Sequence, residues 1–226
     1  MKTAVKTLLL LALAATLLVF PGCADEPEEK APSNYEQLYN LLGQPAGEVC
    51  KALGIDEAQV DLAIAGKAPP PSLGEARYAG LLWETTLLFN ADKLFYGFTY
   101  TISYSKNPEQ AAPIFADMLL TLEEDWGSPI KEQNPFPYHQ KITQQAVLSY
   151  IQENSHFDFF RMWNLSRQFM EEKPTVVDEF WRKYPALKGY PPYFARFSYT
   201  ADLDTATLTL AYELFPLDDL ITNIRK

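Results

Sequence analysis

The chain has 226 residues, 47% of them hydrophobic, and 19 basic against 29 acidic side chains give a formal charge of −10. That hydrophobic share can fill a packed core and excludes wholesale disorder, and the length suits one domain, or two small ones sharing a sheet. The acidic balance repels nucleic-acid phosphates and anionic lipid headgroups, so neither a nucleic-acid partner nor a basic membrane-binding patch is expected.

The first element is a leader. Lys2 and Lys6 form a short basic start, and Leu8 to Phe20 is an apolar run of about 13 residues, too short to span a bilayer as a permanent helix. Gly22 is a small residue at a cut position, and the chain turns polar from Ala24. Phe20-Pro21-Gly22-Cys23 resembles the lipobox of bacterial lipoproteins, with Phe20 and Pro21 departing from its usual residues. The resemblance implies that residues 1–22 are an export signal and that cleavage falls before Cys23. It also implies that a thioether diacylglycerol on Cys23 tethers the chain to the outer face of a membrane. Two acyl chains satisfy the requirement for stable anchoring, at about 0.8 kcal/mol per buried methylene. This covalent lipid is the only cofactor expected, and the membrane it enters is the first expected partner. Loss of Lys2 and Lys6 leaves 17 basic and 29 acidic residues, a charge of −12.

Residues 23–34 are acidic and proline-containing and read as a disordered tether; ten extended residues reach roughly 35 Å. Residues 35–226 read as a single domain. Cys50 then has no intramolecular partner and is expected to be a small buried hydrophobe.

Tyr35, Leu38 and Leu42 have helical spacing, and Gly43-Gln44-Pro45 breaks the run. Ala46 to Gly54 reads as a second short helix, with Val49 and Leu53 on one face and Gly54 as its cap. Leu42-Gly43, Val49 and Leu53-Gly54 together resemble the helix pair that opens the repeats of SmpA/OmlA-type outer-membrane assembly lipoproteins and of β-lactamase inhibitor proteins. A generic helical hairpin has the same pattern.

Ala68 to Ser72 is a proline loop, and strands follow. Leu81, Trp83, Thr85, Leu87 and Phe89 alternate with a more polar set; Asn90 to Lys93 turns; Leu94, Tyr96, Phe98, Tyr100, Ile102 and Tyr104 share one face. Asn107-Pro108-Glu109 starts a helix carrying Ala111, Phe115, Met118, Leu122 and Trp126, with a kink or restart expected at Pro113. Gln140 to Glu153 reads as helix, with Ile142, Ala146 and Tyr150 aligned, and Phe157 to Leu165 as aromatic strand. Thr175 to Asp178 fits a capping-box-like start of a helix ending at Pro185. A last hairpin sets Tyr193, Ala195, Phe197 and Tyr199 against Leu208, Leu210, Tyr212 and Leu214, with Ala201 to Asp204 as its turn. The class expected is α+β: antiparallel hairpins or meanders with helices packed on one face of the sheet.

No metal-ligand set or nucleophile motif stands out. His139 and His156 lack a partner at ligand spacing; His156 and Asp158 could orient an imidazole, and Asp158 or Asp178 could serve a carboxylate hydrolase. Glu123-Glu124-Asp125 reads as a solvated face. Asp202 and Asp204 read as a turn whose Asp bonds its own backbone. Aromatics among prolines form the candidate binding surface: Phe136, Tyr138, Tyr184, Tyr190 and Tyr193, with Phe194 beside them. Such rings suit sugar stacking or protein contacts, or alternatively cap the sheet and fill the core. The functional expectation is a non-enzymatic binding or scaffolding module of the cell envelope whose partner is an envelope protein or a glycan; the alternatives are a carbohydrate- or peptidoglycan-binding module that uses the aromatic loops, and a carboxylate-based hydrolase.

Overall fold

Side chains two apart on a strand share a face, so each aromatic series commits its strand to one buried side. In the computed structural model, which describes residues 34–214 apart from 79, 106, 107, 138 and 139, the described residues form seven strands: β1 Ser72–Tyr78, β2 Leu81–Phe89, β3 Phe95–Ser105, β4 Lys131–Gln133, β5 His156–Asn164, β6 Tyr193–Asp202 and β7 Thr205–Leu214. They form one antiparallel sheet in the order β1-β2-β3-β7-β6-β5-β4. The expected hairpins, β2–β3 and β6–β7, are its centre, and the sheet stays open rather than closing into a barrel. The chain runs inward from one edge through β1 to β3. It then crosses to the far edge and returns through β4 to β7, so the two meanders meet where β3 pairs with β7.

Cross-strand register aligns the large side chains. Leu87 faces Phe98, Phe98 faces Tyr212, Tyr212 faces Ala195 and Ala195 faces Trp163. A second row runs through Tyr100, Leu210 and Phe197 to Arg161. The opposite face carries Thr86, Thr99, Thr101, Thr207 and Thr209, the polar half of the same alternation. Both edges discourage pairing with a further strand: β1 carries Glu75 and Arg77, and β4 is only Lys131–Gln133.

Helices α1 Tyr35–Leu41, α2 Ala46–Leu53, α3 Glu57–Ile64, α4 Ala111–Trp126, α5 Gln144–Asn154, α6 Ser166–Glu172 and α7 Pro174–Lys183 pack on the aromatic face. Gly54 caps α2 in the left-handed conformation, and its N–H reaches the Cys50 carbonyl. Cys50 is buried with Ala46 and Val60 as a small hydrophobe; burial and the carboxylates of Glu57, Asp56 and Asp61 push its thiol up. Gly43, between α1 and α2, adopts φ +82°, and a Cβ there would lie 2.5 Å from Val176 Cγ1, so both backbone and space demand glycine.

Several expected boundaries move. A 3₁₀ turn over Pro108–Gln110 precedes α4, which restarts at Ala111 and so places Pro113 in the first turn, where its missing N–H has no intrahelical partner to lose. Helix α5 begins at Gln144, not Gln140, because Thr143 caps it by accepting from Ala146 N. Ile142 and Val147 then occupy the positions of a hydrophobic staple and are both buried. Helix α7 starts with Pro174 at its first position, so Thr175 lies inside the helix and caps nothing. In β3 the alternation slips: Phe89 pairs with Phe95 while Leu88 pairs with Gly97. This irregularity buries Phe95 in place of the expected Leu94 and Tyr96. At the β6–β7 turn Asp202 accepts the N–H groups of Asp204 and Thr205, as expected of an Asp-led turn.

Candidate functional site: a tyrosine-lined cleft

The covered face is not sealed along its whole length. Between α1, the last turns of α4, and α6 a cleft of about 640 Å³ opens onto the sheet. Helical spacing sets its first wall: Tyr35 and Tyr39, four residues apart on α1, stack at 5.9 Å between ring centroids. Tyr35 meets Tyr212 edge-on at 4.9 Å and Phe98 at 5.9 Å. Tyr39 meets Tyr193 at 5.7 Å and Phe169 at 5.6 Å, both edge-on. The facing wall is α4, which contributes Met118, Leu122, Asp125 and Trp126. Trp126 stands edge-on to Trp163 at 5.4 Å and to Tyr212 at 6.0 Å. Tyr193 and Tyr212, 2% and 1% exposed, form the floor, while Tyr35, Tyr39, Tyr78 and Trp126 are half-buried around it.

A buried serine fixes the floor. Asn164 Oδ1 accepts from Ser166 N at the start of α6, and Ser166 Oγ donates to the Tyr193 carbonyl at 3.0 Å while accepting its N–H at 2.9 Å. The pair ties α6 to the first residue of β6 and sets Phe169 against the Tyr193 ring at 4.8 Å.

The cleft's hydroxyls bond one another: Tyr78 with Tyr212, and Tyr35 with Tyr193 at 3.4 Å. Tyr39 donates to Glu172 Oε2 at 2.6 Å, and Gln168 donates to the other oxygen of that carboxylate. Tyr100, beneath Tyr78 in a stack of 4.8 Å, donates to Asn34. Burial raises the phenols of Tyr35, Tyr78, Tyr100, Tyr193 and Tyr212 above their ordinary value. They are therefore neutral donors and acceptors at physiological pH, not bases. The bond from Tyr39 holds Glu172 below the ordinary carboxylate value, so it stays ionised. Glu36 and Asp125 complete the charged lining, and no Lys, Arg or His is among the described residues that line the cleft. Just outside, the Lys173 ammonium lies 5.6 Å over the Tyr39 ring and bonds Asn40 Oδ1 at 2.6 Å.

The described members of the aromatic set expected as a binding surface do not share one surface. Phe136 is buried against Tyr150 and Phe157, so it belongs to the core and not to an exposed loop. Tyr184 packs on Phe180 and bonds Asp92 and Asn90 beside the β2–β3 turn. Tyr190 is exposed, and Phe194 is buried on the face opposite Tyr193. Among the described members of the set only Tyr193 lines the cleft, where it is floor, not a loop ring. Tyr138, His139 and the lipobox with Cys23 lie outside the described residues. Asp158 accepts a bond from Gln133 and Asp178 is exposed on α7; neither lines the cleft. The acidic run at the end of α4 is less uniform than a solvated face. Glu123 pairs with Arg161, which also bonds Glu132 at 2.9 Å, and Asp125 turns to the cleft. Sequence reasoning missed Tyr39, Tyr78, Trp126 and Glu172 as site residues; the pair of tyrosines at helical spacing beside Glu36 was the one available signal.

Comparison with known proteins gives no match to this chain among family models, curated proteins or solved structures.

Proposed function

We propose that this protein is a lipid-anchored, extracytoplasmic lipoprotein of the cell envelope that acts by binding, without catalysis, and that the tyrosine-lined cleft is its binding site. The observation that carries the reading is the cleft itself: a concavity of about 640 Å³, within the range of small-ligand sites, lined by rings with a few fixed polar groups. Its phenols are neutral and bonded to one another, which suits holding a ligand more than moving protons. The lipobox-like Phe20 to Cys23 and the acidic segment after it support the address. No helix among the described residues is long and apolar enough to cross a membrane, and the anchoring assigned here is the lipid on Cys23.

A glycan is the second reading, because Asn40, Thr121 and Gln168 place hydrogen-bonding groups beside the rings. Two experiments test the proposal. Expressed in a bacterium with its leader, the chain should fractionate with membranes and carry diacylglycerol, and Cys23→Ser should abolish both; a soluble, unmodified wild-type product contradicts the address. Crosslinking in intact cells from a photoreactive group at Gln168 should capture an envelope component, and loss of capture on Trp126→Ala with the fold retained assigns it to the cleft. Capture that ignores the cleft variants contradicts the site.

A further inference from the structure

A cleft walled by aromatic rings has walls of negative potential, because each ring face carries the negative lobe of its quadrupole. Here the charged groups that line the opening have the same sign, and the Lys173 ammonium lies just outside it. Glu36, Asp125 and Glu172 line it, and no cationic side chain is among the described lining residues. The surrounding chain is acidic as well, with a net charge of −10, so its long-range field gathers cations. The protein supplies an internal precedent: Lys173 lays its ammonium over the Tyr39 ring at 5.6 Å. From these observations we infer that the cleft receives the alkylammonium end of an organic cation, a primary or quaternary amine. This rests on the cleft being a ligand site and adds the sign of the ligand's charge.

The roles divide by position. Tyr35, Tyr78 and Trp126, half-buried around the opening, present ring surface to the alkylated nitrogen, beside the Tyr39 ring, which already stacks on Tyr35 and carries the Lys173 ammonium. Glu172 stays ionised through its bonds from Tyr39 and Gln168, and together with Asp125 it neutralises the positive charge. The buried hydroxyl pairs Tyr78–Tyr212 and Tyr35–Tyr193 hold the floor rings in place. An anion meets three carboxylates and ring faces, and is excluded.

The test is calorimetric titration of the full-length chain, in mild detergent, with choline, spermidine, 3,3-dimethylbutanol (choline's neutral isostere) and an N-acetylglucosamine oligomer. The expected result is binding of choline or spermidine, at least about tenfold tighter than dimethylbutanol and weakening as salt rises. Trp126→Leu should cost about tenfold. Glu172→Gln, at an exposed position that leaves the core intact, should cost a few-fold and flatten the salt dependence. Dimethylbutanol binding as tightly as choline overturns the inference, as does binding of the oligosaccharide with neither cation bound; both leave the cleft as a ligand site. Binding of none of the four overturns the inference and the cleft's assignment together.

Discussion

The two ends of one sheet face are built from the same residue class and do opposite things. At one end Phe115 of α4 stacks on Phe197 and Tyr199, at 5.8 and 4.7 Å, and stands edge-on to Phe157 and Phe159. All five are fully buried. At the other end Tyr35, Tyr39, Tyr78 and Trp126 ring a cleft. Helix α4 spans both, from Phe115 to Trp126. The closed end uses rings without hydroxyls, Tyr199 excepted, and so needs no polar partners. The open end uses phenols, which must find partners and find one another. An aromatic surface is therefore core or site according to what covers it and what its hydroxyls bond.

The largest way to sharpen the contrast is truncation of the ring at the closed end. Phe115→Ala should lower unfolding free energy by about 3–5 kcal/mol, read from urea denaturation, whereas Trp126→Ala, half-buried beside a cleft, should cost less. Equal losses break the comparison.

The staple beneath the open end comes next. Ser166→Ala leaves the Tyr193 N–H without its Oγ acceptor, while the Tyr193 carbonyl keeps the Leu165 N–H as a donor, so it should cost about 1–3 kcal/mol. It should also loosen the cleft floor, seen as faster hydrogen exchange at Tyr193.

The alkaline limb follows from the raised phenols. A phenol whose folded value lies above the unfolded value of 10 contributes stability that is fully present below pH 10. That stability is lost as pH climbs past 10, because the unfolded chain releases protons the folded chain retains. Unfolding free energy should be level near neutrality and fall above pH 10, and Tyr212→Phe should make that fall shallower.

The smallest effect has the opposite sign. The Tyr199 hydroxyl is buried without a partner among the described residues, and burial pushes its phenol up to about 12. Tyr199→Phe should therefore raise stability by about 1 kcal/mol, measurable as a higher melting temperature.

These contrasts also show what a single sequence holds. The alternation in Tyr193 to Tyr199 and Leu208 to Leu214 reports which side of each strand is buried, and the central hairpins follow from it. Strand β1 was illegible because Gly74 with flanking charges resembles a loop. Helix α6 was illegible because its start depends on Asn164 and on Tyr193, 27 residues away from Ser166. The cleft fails to show for the same reason: it is assembled from α1, β1, α4, α6, β6 and β7, and beyond the Tyr35 and Tyr39 pair beside Glu36 nothing local distinguishes Tyr78 or Trp126 from a core ring. Phe136 shows the converse, a loop ring among prolines that packing draws inside.

The most direct measurement is a ring-resolved carbon NMR spectrum of the full-length protein, recorded during titration with choline, spermidine and the N-acetylglucosamine oligomer. At least one of these should shift the ring signals of Tyr35, Tyr39 and Trp126 while those of Phe115, Phe157 and Phe159 stay in place. Shifts as large at the phenylalanine end, or none at any ring, would contradict it.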